Sequence, residues 1–295
     1  MIEHAFVQVG GLRFHVAQCG QGDRLALLLH GFPERWISWR YQMPLLARLG
    51  YRDWAPDLRG YGESDRPLGM ESYAIERLMD DVAGLIDASG AREVLLMAHD
   101  WGGIIAWYFA MRRLRPLTKL VILNVPHPGA SAQVFRTWKQ LRRSWYVLFF
   151  QLPRLPEFLL TRRGARPLAD VFRTRTLHPE NFPDDVIETN RQGWLAPGAA
   201  TAMIDYYRAF VRGGGMARQR KLGHPVIQTP TLMIWGEQDL ALCKETNFGT
   251  DRWVEDLTLR YLPGASHFVQ QDAPAEVNAM LEAWLAGRPV PGSAS

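Results

Sequence analysis

The sequence predicts an α/β fold in which a mostly parallel central sheet is flanked by helices and interrupted by one helical insert. Short apolar runs alternate with longer segments of helical periodicity, which is the order expected of a parallel sheet with helices on both faces. One long internal stretch, 129–222, contains no convincing buried strand. The chain has 295 residues, of which 47% are hydrophobic and 22% charged. This length and composition are sufficient for a large globular core.

Apolar runs predict the strands in chain order. Two strands, 4–10 and 12–18, flank a turn at Gly10-Gly11. A further strand is predicted near the end of the chain, at 257–261. The continuous apolar runs typical of strands that are buried on both faces occur at 25–29, 94–98, 120–123 and 232–235.

Apolar residues at helical spacing predict helices at 73–86 and 104–111, and Pro274 marks the first turn of another at 274–285. The segment 129–222 holds aromatic-rich helical segments, breaks at prolines and a run of three glycines. We therefore expect a helical insert at 129–222 between the two parts of an α/β core. These core parts are 1–128 and 223–295.

Composition excludes several classes of protein. No run of about 18 apolar residues occurs, so no membrane-spanning helix is expected. The first residues lack the basic and apolar regions of a signal peptide. The two cysteines, Cys19 and Cys243, cannot form a disulfide scaffold and lie in no CxxC pair. Together these features favour a cytoplasmic protein.

The basic charge of the chain is concentrated in the insert. The whole chain has a net charge of +4, yet 129–222 holds 16 Lys+Arg and 7 Asp+Glu, a net +9, and the remainder holds 18 and 23, a net −5. No zinc-ligand spacing, aromatic RNA-binding motif or basic heptad helix accompanies this charge, so no nucleic-acid partner is predicted. Two interpretations of this charge are open. The insert presents an ordinary solvated surface, or its positive charge steers anionic substrates or contacts an acidic partner.

The most informative motif is AHDWG at 98–102, between a predicted strand and a predicted helix. A small residue stands two positions on either side of Asp100, as in a nucleophile elbow, a tight strand-to-helix turn that exposes its central side chain. A simpler interpretation is that Asp100 only caps the helix. The flanking small residues favour the elbow, with Asp100 as the nucleophile.

The motif HGFPE at 30–34 follows an early strand and predicts an oxyanion hole. In enzymes with such an elbow, a loop at this position supplies one backbone N–H, and the residue after the nucleophile supplies the other. We therefore expect the N–H groups of Phe32 and Trp101 to stabilise the oxyanion. Aromatic residues of the insert favour a mostly apolar pocket. Its predicted lining residues are His30, Pro33, Trp101, Phe150, Tyr206 and Phe268.

Two late loops predict the acid and the base. The order nucleophile, acid, base along the chain is that of a Ser- or Asp-based triad on this type of fold. His267 is the preferred base because it lies in a small-residue loop between the last strand and the last helix. Asp239 is preferred over Glu237 because it lies further into its loop, and Asn124, at another possible acid position, carries no charge. No residue cluster has metal-ligand spacing, so neither a metal nor an organic cofactor is expected.

Taken together, these motifs resemble the epoxide hydrolases of the α/β-hydrolase fold, over most of the core. The resemblance implies that 129–222 is a lid, whose tyrosines hold and protonate an epoxide oxygen. Tyr146, in YVLFFQ, matches the first of these tyrosines, and Tyr207, in DYYR, matches the second, with Tyr206 as its alternative. The core segments that carry the resemblance are HGFPERWISWRYQ (30–42), DLRGYGESDRP (57–67), HDWGG (99–103) and NVPHP (124–128).

The resemblance also implies a reaction. A carboxylate that attacks a saturated carbon leaves an ester, which water can hydrolyse, whereas a serine would leave an ether. The implied enzyme converts a small epoxide and water to a vicinal diol through an ester of Asp100, which water activated by His267 then hydrolyses. The protein itself is expected to be a monomer or a homodimer.

Two alternatives stay open on the sequence. A haloalkane or haloacetate dehalogenase uses the same aspartate, and the indole of Trp101 is a candidate halide donor. Fluoroacetate dehalogenases, however, have a His-Trp pair where this chain has Trp145-Tyr146, and tend to have Arg where this chain has Trp101. A non-catalytic ligand-binding member of the fold is the second alternative, disfavoured because every expected triad and tyrosine side chain is present.

Overall fold

An eight-stranded sheet forms the centre of the computed structural model, which describes residues 1–292. The last three residues of the predicted core segment 223–295 lie outside the described residues. The strand order is β1-β2-β4-β3-β5-β6-β7-β8, with β2 antiparallel to both of its neighbours and every other pair parallel. The strands are β1 Glu3–Val9, β2 Leu12–Cys19, β3 Arg24–Leu29, β4 Arg52–Pro56, β5 Glu93–His99, β6 Lys119–Leu123, β7 Thr231–Gly236 and β8 Leu257–Leu262.

The mostly parallel sheet is confirmed, and one of its strands is absent from the sequence prediction. β4 is buried over most of its length although it begins with Arg52 and Asp53. These two charged residues interrupt the apolar run on which the prediction of a buried strand depends. β4 lies between β2 and β3 and therefore joins the antiparallel hairpin to the parallel part of the sheet.

Helices cover both faces of the sheet and fill the insert. The prediction at 274–285 matches the observed helix, and the one at 104–111 begins earlier, at Asp100. Short 3-10 helices occur at Trp36–Trp39, Met70–Tyr73, Val134–Arg136, Pro179–Asn181, Lys244–Asn247 and Thr250–Arg252. The α-helices are α1 Met43–Arg48, α2 Ile75–Ser89, α3 Asp100–Arg112, α4 Pro128–Ser131, α5 Trp138–Arg143, α6 Trp145–Phe149, α7 Leu155–Thr174, which leaves helical conformation at 162–165, α8 Asp184–Leu195, α9 Ala199–Val211, α10 Gly215–Lys221, α11 Val269–Asp272 and α12 Pro274–Leu285.

The hydrophobic core has two layers, one on each face of the sheet. In β3, Leu25, Leu27 and Leu29 belong to one buried cluster and Ala26 and Leu28 to the other. This alternation is the period of a strand whose two faces are both covered. No helix within residues 1–292 is long and apolar enough to cross a membrane.

Between β6 and β7 the regular elements are helices, from α4 to α10, and the described residues there form no strand beyond an isolated bridge of Ile227 with Val254. It lies against loops at one edge of the sheet. The Trp194 indole N–H donates to the Pro33 carbonyl oxygen at 2.6 Å, and the Tyr206 hydroxyl donates to the Arg59 carbonyl oxygen at 2.7 Å. The insert is thus held over the loops that follow β3 and β4.

Parallel pairing aligns the carboxyl ends of four strands at that edge. Leu29 of β3 pairs with Ala98 of β5, His99 pairs with Leu123 of β6, and Leu123 pairs with Ile234 of β7. The loops that follow these strands therefore open side by side. They carry every core residue to which the sequence analysis assigns a catalytic role, except for His267, which follows β8.

Candidate active site

Asp100 lies in a tight turn where β5 ends and α3 begins. Its φ angle is +47°, a left-handed conformation that is uncommon for a residue other than glycine. A Cβ on Gly102 would lie 2.3 Å from the Leu29 carbonyl oxygen, and one on Gly31 would lie 2.3 Å from the Cβ of Asp100. The turn therefore requires glycine at both positions, and the Asp100 side chain retains 14% exposure.

A backbone donor already holds one oxygen of this carboxylate. The N–H of Phe32, in the loop after β3, donates to Asp100 Oδ1 at 2.7 Å. Trp101 follows Asp100 in the first turn of α3, where N–H groups have no partner within the helix. Of the two residues predicted for the oxyanion hole, Phe32 thus contacts the Asp100 carboxylate, and Trp101 has its N–H in the first turn of α3.

The predicted acid and base meet the same carboxylate. His267 Nδ1 lies 2.7 Å from Asp239 Oδ2, and His267 Nε2 lies 3.5 Å from Asp100 Oδ2. The other oxygen of Asp239 accepts from the N–H groups of Ala241 at 2.7 Å and Leu242 at 2.9 Å. The Asp239 carboxylate is buried and aimed at the imidazole, which is how an orienting acid acts on a base.

The two carboxylates and the imidazole adjust one another's pKa values. Burial on its own raises the pKa of Asp100 and of Asp239, but the contact of each with His267 outweighs burial and lowers both. Burial lowers the pKa of His267, but the charges and hydrogen bonds of Asp239 and Asp100 raise it well above its usual range. The two carboxylates therefore favour the protonated, cationic form of the His267 imidazole.

Asn124 supports Asp239, a role that the sequence analysis missed. It follows β6 with a φ of +43°, donates from Nδ2 to Asp239 Oδ2 at 2.8 Å and accepts the Gly236 N–H at 2.7 Å. The sequence analysis considered this position only as a site for a charged acid. The sequence did offer a signal for this role. Asn124 is an amide residue directly after β6, and β6 lies beside β7, the strand that leads to Asp239.

Two aromatic hydroxyls of the insert approach Asp100. The rings of Tyr146 in α6 and Tyr207 in α9 lie 5.9 Å apart and nearly perpendicular. Burial raises the pKa of both phenols above the usual range, and the charge of Asp100 adds to the effect. The Tyr207 ring also packs on Phe150 at 4.9 Å and edge-on against Trp101 at 5.0 Å.

Two residues predicted to line the pocket have other contacts. His30 is fully buried, its Nδ1–H donates to the Gly31 carbonyl oxygen at 2.9 Å, and its Nε2 accepts the Leu58 N–H at 3.0 Å. His30 therefore fixes the loop after β3 and is not a pocket wall. Tyr206 is also fully buried, and its hydroxyl is bound to the Arg59 carbonyl oxygen rather than directed at Asp100.

The remaining predicted pocket residues lie around the site and are largely buried. Phe150 packs on Phe32 at 5.5 Å between ring centroids, and Phe268 packs on His267 at 5.2 Å. Pro33 is buried beneath the insert, and Trp101 lies against Tyr207. The aromatic rings exclude water from the Asp100 carboxylate on this side.

A buried ion pair beneath the base was not predicted. His99 donates from Nδ1 to Glu34 Oε2 at 2.7 Å and from Nε2 to the His267 carbonyl oxygen at 2.9 Å. Burial raises the pKa of Glu34, but the charge of His99 and hydrogen bonds from His99 and Ser38 outweigh it. His99 lies in the AHDWG motif and Glu34 in the HGFPE motif. The sequence does not show that these side chains are buried together, so the pairing becomes evident only in the structure.

No group of three His, Cys, Asp or Glu side chains within residues 1–292 is arranged to hold a metal ion. The absence of any cofactor stays a prediction from the sequence.

The family model for the alpha/beta hydrolase fold matches residues 27–274. The chain is 38% identical over 283 residues to the AB hydrolase superfamily protein YfhM of Bacillus subtilis, covering 95% of this chain and 96% of that one. It is 36% identical over 291 residues to epoxide hydrolase 4 of Mus musculus, covering 96% and 79%.

Solved structures of epoxide hydrolases have the same fold as this chain. The epoxide hydrolase of Bacillus megaterium in complex with an inhibitor superimposes with a TM-score of 0.86 at 29% identity, covering 96% of this chain and 100% of that one. The epoxide hydrolase VrEH1 of Vigna radiata gives a TM-score of 0.83 at 28% identity, covering 97% and 98%. The chain thus belongs to the α/β-hydrolase fold family. Within that fold it is a member of the epoxide hydrolase family.

Proposed function

We propose that this protein is an epoxide hydrolase that converts a small epoxide and water to a vicinal diol. The observation that carries the proposal is an aspartate, rather than a serine, in the elbow, 3.5 Å from His267 and close to two insert tyrosines. Its relatives named as epoxide hydrolases add support.

In the first step, Asp100 Oδ2 attacks a ring carbon of the epoxide. The Phe32 N–H binds Oδ1 and leaves Oδ2 available, and the lowered pKa of Asp100 keeps it ionised. Tyr146 and Tyr207 donate hydrogen bonds to the ring oxygen, and one of them transfers its proton as the C–O bond breaks. The products are a hydroxyalkyl ester of Asp100 and a phenolate.

Formation of the ester changes the protonation of His267. Two carboxylates raise the pKa of the imidazole in the free site. The ester is neutral, so one of these two negative charges disappears and the pKa of His267 falls. The imidazolium then gives its proton to the tyrosine phenolate, which restores the phenol and leaves His267 neutral. The site itself thus converts His267 from an acid to a base once the first step is complete.

In the second step, His267 takes a proton from water, and the resulting hydroxide attacks the carbonyl carbon of the Asp100 ester. The Phe32 and Trp101 N–H groups stabilise the oxyanion, an effect of about 3 kcal/mol per donor. The imidazolium gives its proton to the departing alkoxide, and the proton left on the Asp100 carboxyl passes to His267, which restores the carboxylate and the imidazolium of the free site. Asp239 holds the imidazole in place, with Asn124 supporting it.

We further propose that 129–222 acts as a cap domain on a core made of 1–128 and 223–295. Its support is the helical content of the insert and its contacts with Pro33 and Arg59. The proposed location is cytoplasmic, consistent with two free and buried cysteines. We propose that the protein is a monomer or a homodimer, and sedimentation velocity would determine which. We propose no nucleic-acid partner.

The test must distinguish epoxide hydrolysis from dehalogenation, the alternative reaction. The Trp101 indole, the candidate halide donor, packs edge-on against Tyr207 at 5.0 Å, and the insert tyrosines beside Asp100 provide the acid that the epoxide reaction requires. We would incubate the purified protein with styrene oxide, a bromoalkane and fluoroacetate, and measure diol by chromatography and halide by ion-selective electrode.

Diol from styrene oxide, with little halide released, is the expected result. Asp100→Ala should abolish turnover, whereas Asp251→Ala, at an exposed aspartate, should retain it. Halide release without diol formation would overturn the proposal, as would turnover by Asp100→Ala.

A further inference from the structure

The first helices of the insert carry an apolar stripe that faces solvent. Apolar side chains recur every three or four residues along α5, α6 and the turn that follows, a spacing that places them on one side of a helix. Such a stripe normally packs on the core. Here its members are exposed: Trp138 75%, Leu141 46%, Trp145 62%, Leu148 70% and Leu152 45%.

The exposed apolar surface continues into α7. Leu155 is 45% exposed and Phe158 is 66% exposed. Single exposed apolar residues are ordinary, but a continuous group of large ones marks an interaction surface. We call the segment 134–158 the cap surface.

The cap surface is also basic. It contains five Lys or Arg and one acidic residue, Glu157. The Glu157 carboxylate is already paired with Arg208 at 2.7 Å. Arg136, Arg142 and Arg154 are exposed and form no ion pair with any residue in 1–292. These three arginines therefore have no internal counter-charge, whereas Lys139 is paired with Glu245 at 2.6 Å.

We propose that the cap surface docks this protein onto an anionic lipid bilayer, with α5 and α6 lying in the plane of the interface. Indole and leucine side chains flanked by Arg and Lys have the composition of helices that lie on membranes. A negatively charged leaflet supplies the counter-charge that the free arginines lack.

A second copy of the chain is a poorer occupant. In a two-fold dimer the same patch faces itself, so Arg136, Arg142 and Arg154 would oppose their own counterparts. An anionic bilayer can bury the apolar side chains of the surface and also pair with its arginines. Tyr146 lies on α6 between Trp145 and Leu148, so docking brings the candidate site close to the lipid. The docking itself does not depend on the reaction proposed above.

Vesicle sedimentation with the full chain tests the inference. We would compare vesicles of phosphatidylcholine alone with vesicles that also contain about one third phosphatidylglycerol, a typical anionic surface. Wild-type protein should sediment with the anionic vesicles and less with the neutral ones. Trp145→Gln/Leu148→Gln should weaken the partition by about tenfold. Arg136→Gln/Arg142→Gln should weaken it by about tenfold on anionic vesicles.

Matched controls isolate the surface. Leu68→Gln/Phe248→Gln removes two exposed apolar residues elsewhere, and Arg220→Gln/Lys221→Gln removes two exposed charges elsewhere. Both should bind as the wild type does, and all four variants should keep its thermal midpoint, because the substituted side chains are exposed.

Three outcomes would overturn the inference. The first is a wild-type protein that does not bind anionic vesicles. The second is a control variant that loses as much binding as the cap-surface variants. The third is a sedimentation-velocity dimer that Trp145→Gln/Leu148→Gln dissociates in the absence of any vesicle binding, which would identify a second copy as the occupant.

Discussion

Neighbouring tyrosines in α9 have different environments. Tyr206 is fully buried and its hydroxyl is held by the Arg59 carbonyl oxygen, whereas Tyr207 lies among Phe32, Phe150 and Trp101 near the candidate nucleophile. One residue along a helix rotates a side chain by about a quarter of a turn or more. The Tyr206 phenol thus contributes to packing, and the Tyr207 phenol, on another side of α9, contributes to the candidate site.

Phenylalanine substitutions should separate these roles. Tyr207→Phe and Tyr146→Phe each remove a proton donor, so kcat for epoxide opening should fall by about a hundredfold or more, with little loss of stability. Tyr206→Phe should lower the free energy of unfolding by about 1 kcal/mol and retain most of the turnover. Steady-state kinetics and urea unfolding of the three variants check this. A larger kinetic loss in Tyr206→Phe than in Tyr207→Phe would contradict the assignment.

Asp53, buried in β4, should make stability depend on pH. Burial raises the pKa of Asp53 to about 9, while an unfolded carboxyl has a pKa of about 3.9. Between these values the folded state holds a proton that the unfolded state has lost, so stability falls as pH rises. Asp53→Asn cannot ionise. It should therefore gain about 4 kcal/mol over the wild type between pH 5 and pH 8, because each of these three pH units contributes about 1.4 kcal/mol.

Urea unfolding at both pH values measures that gain. Asp251→Asn, at an exposed aspartate, is the control and should follow the wild type. An equal difference between Asp53→Asn and the wild type at the two pH values would show that Asp53 ionises normally in the fold.

A motif that fixes the backbone predicts where a side chain lies, while the catalytic roles assigned from it stay predictions. Asp100, Asp239 and His267 each follow a strand in a short loop, and the structure brings them together. Prediction failed for His30 because a motif does not reveal which ring nitrogens are already bound by backbone groups. It missed Glu34 because an acid in a loop gives no sign that it will be buried.

At the scale of elements, the loop after β3 must pass close to the elbow. Gly31→Ala would place a Cβ 2.3 Å from the Cβ of Asp100 and 2.6 Å from its Oδ1. The carboxylate must then move, and a displacement of about 1 Å costs about a hundredfold in rate. We expect kcat/KM to fall by that order.

Gly264→Ala is the matched control, since its Cβ would meet nothing within 4 Å and its φ is not left-handed. It should retain activity and thermal midpoint. Normal turnover by Gly31→Ala, or an equal loss in Gly264→Ala, would show that the close approach does not position Asp100.

Strands and helices differ in how well the sequence reveals them. Strands such as β3 are continuous apolar runs buried on both faces, so their apolar composition suffices. β4 was missed because Arg52 and Asp53 interrupt its pattern. The sequence predicts that the insert is helical, but not where its helices bend, because contacts with the core decide that.

At the scale of the whole molecule, charge is divided between the two parts of the chain. The insert carries 16 basic and 7 acidic residues, and the rest carries 18 and 23. If this asymmetry steers anionic substrates, added salt should lower kcat/KM for a carboxylate-bearing epoxide and leave that for a neutral epoxide unchanged. Kinetics in about 0.05 and 0.3 M salt check this, and an equal response of both substrates would leave the basic insert without a steering role.

The central claim is that Asp100 forms a covalent ester which His267 then resolves. The most direct measurement is mass spectrometry of His267→Gln after incubation with an epoxide, followed by peptide mapping. Because the variant lacks the base for the second step, we expect a mass increase of one epoxide on the peptide that contains Asp100, and none in His267→Gln/Asp100→Ala. No adduct in His267→Gln while the wild type forms diol, or an adduct on another residue, would contradict the account.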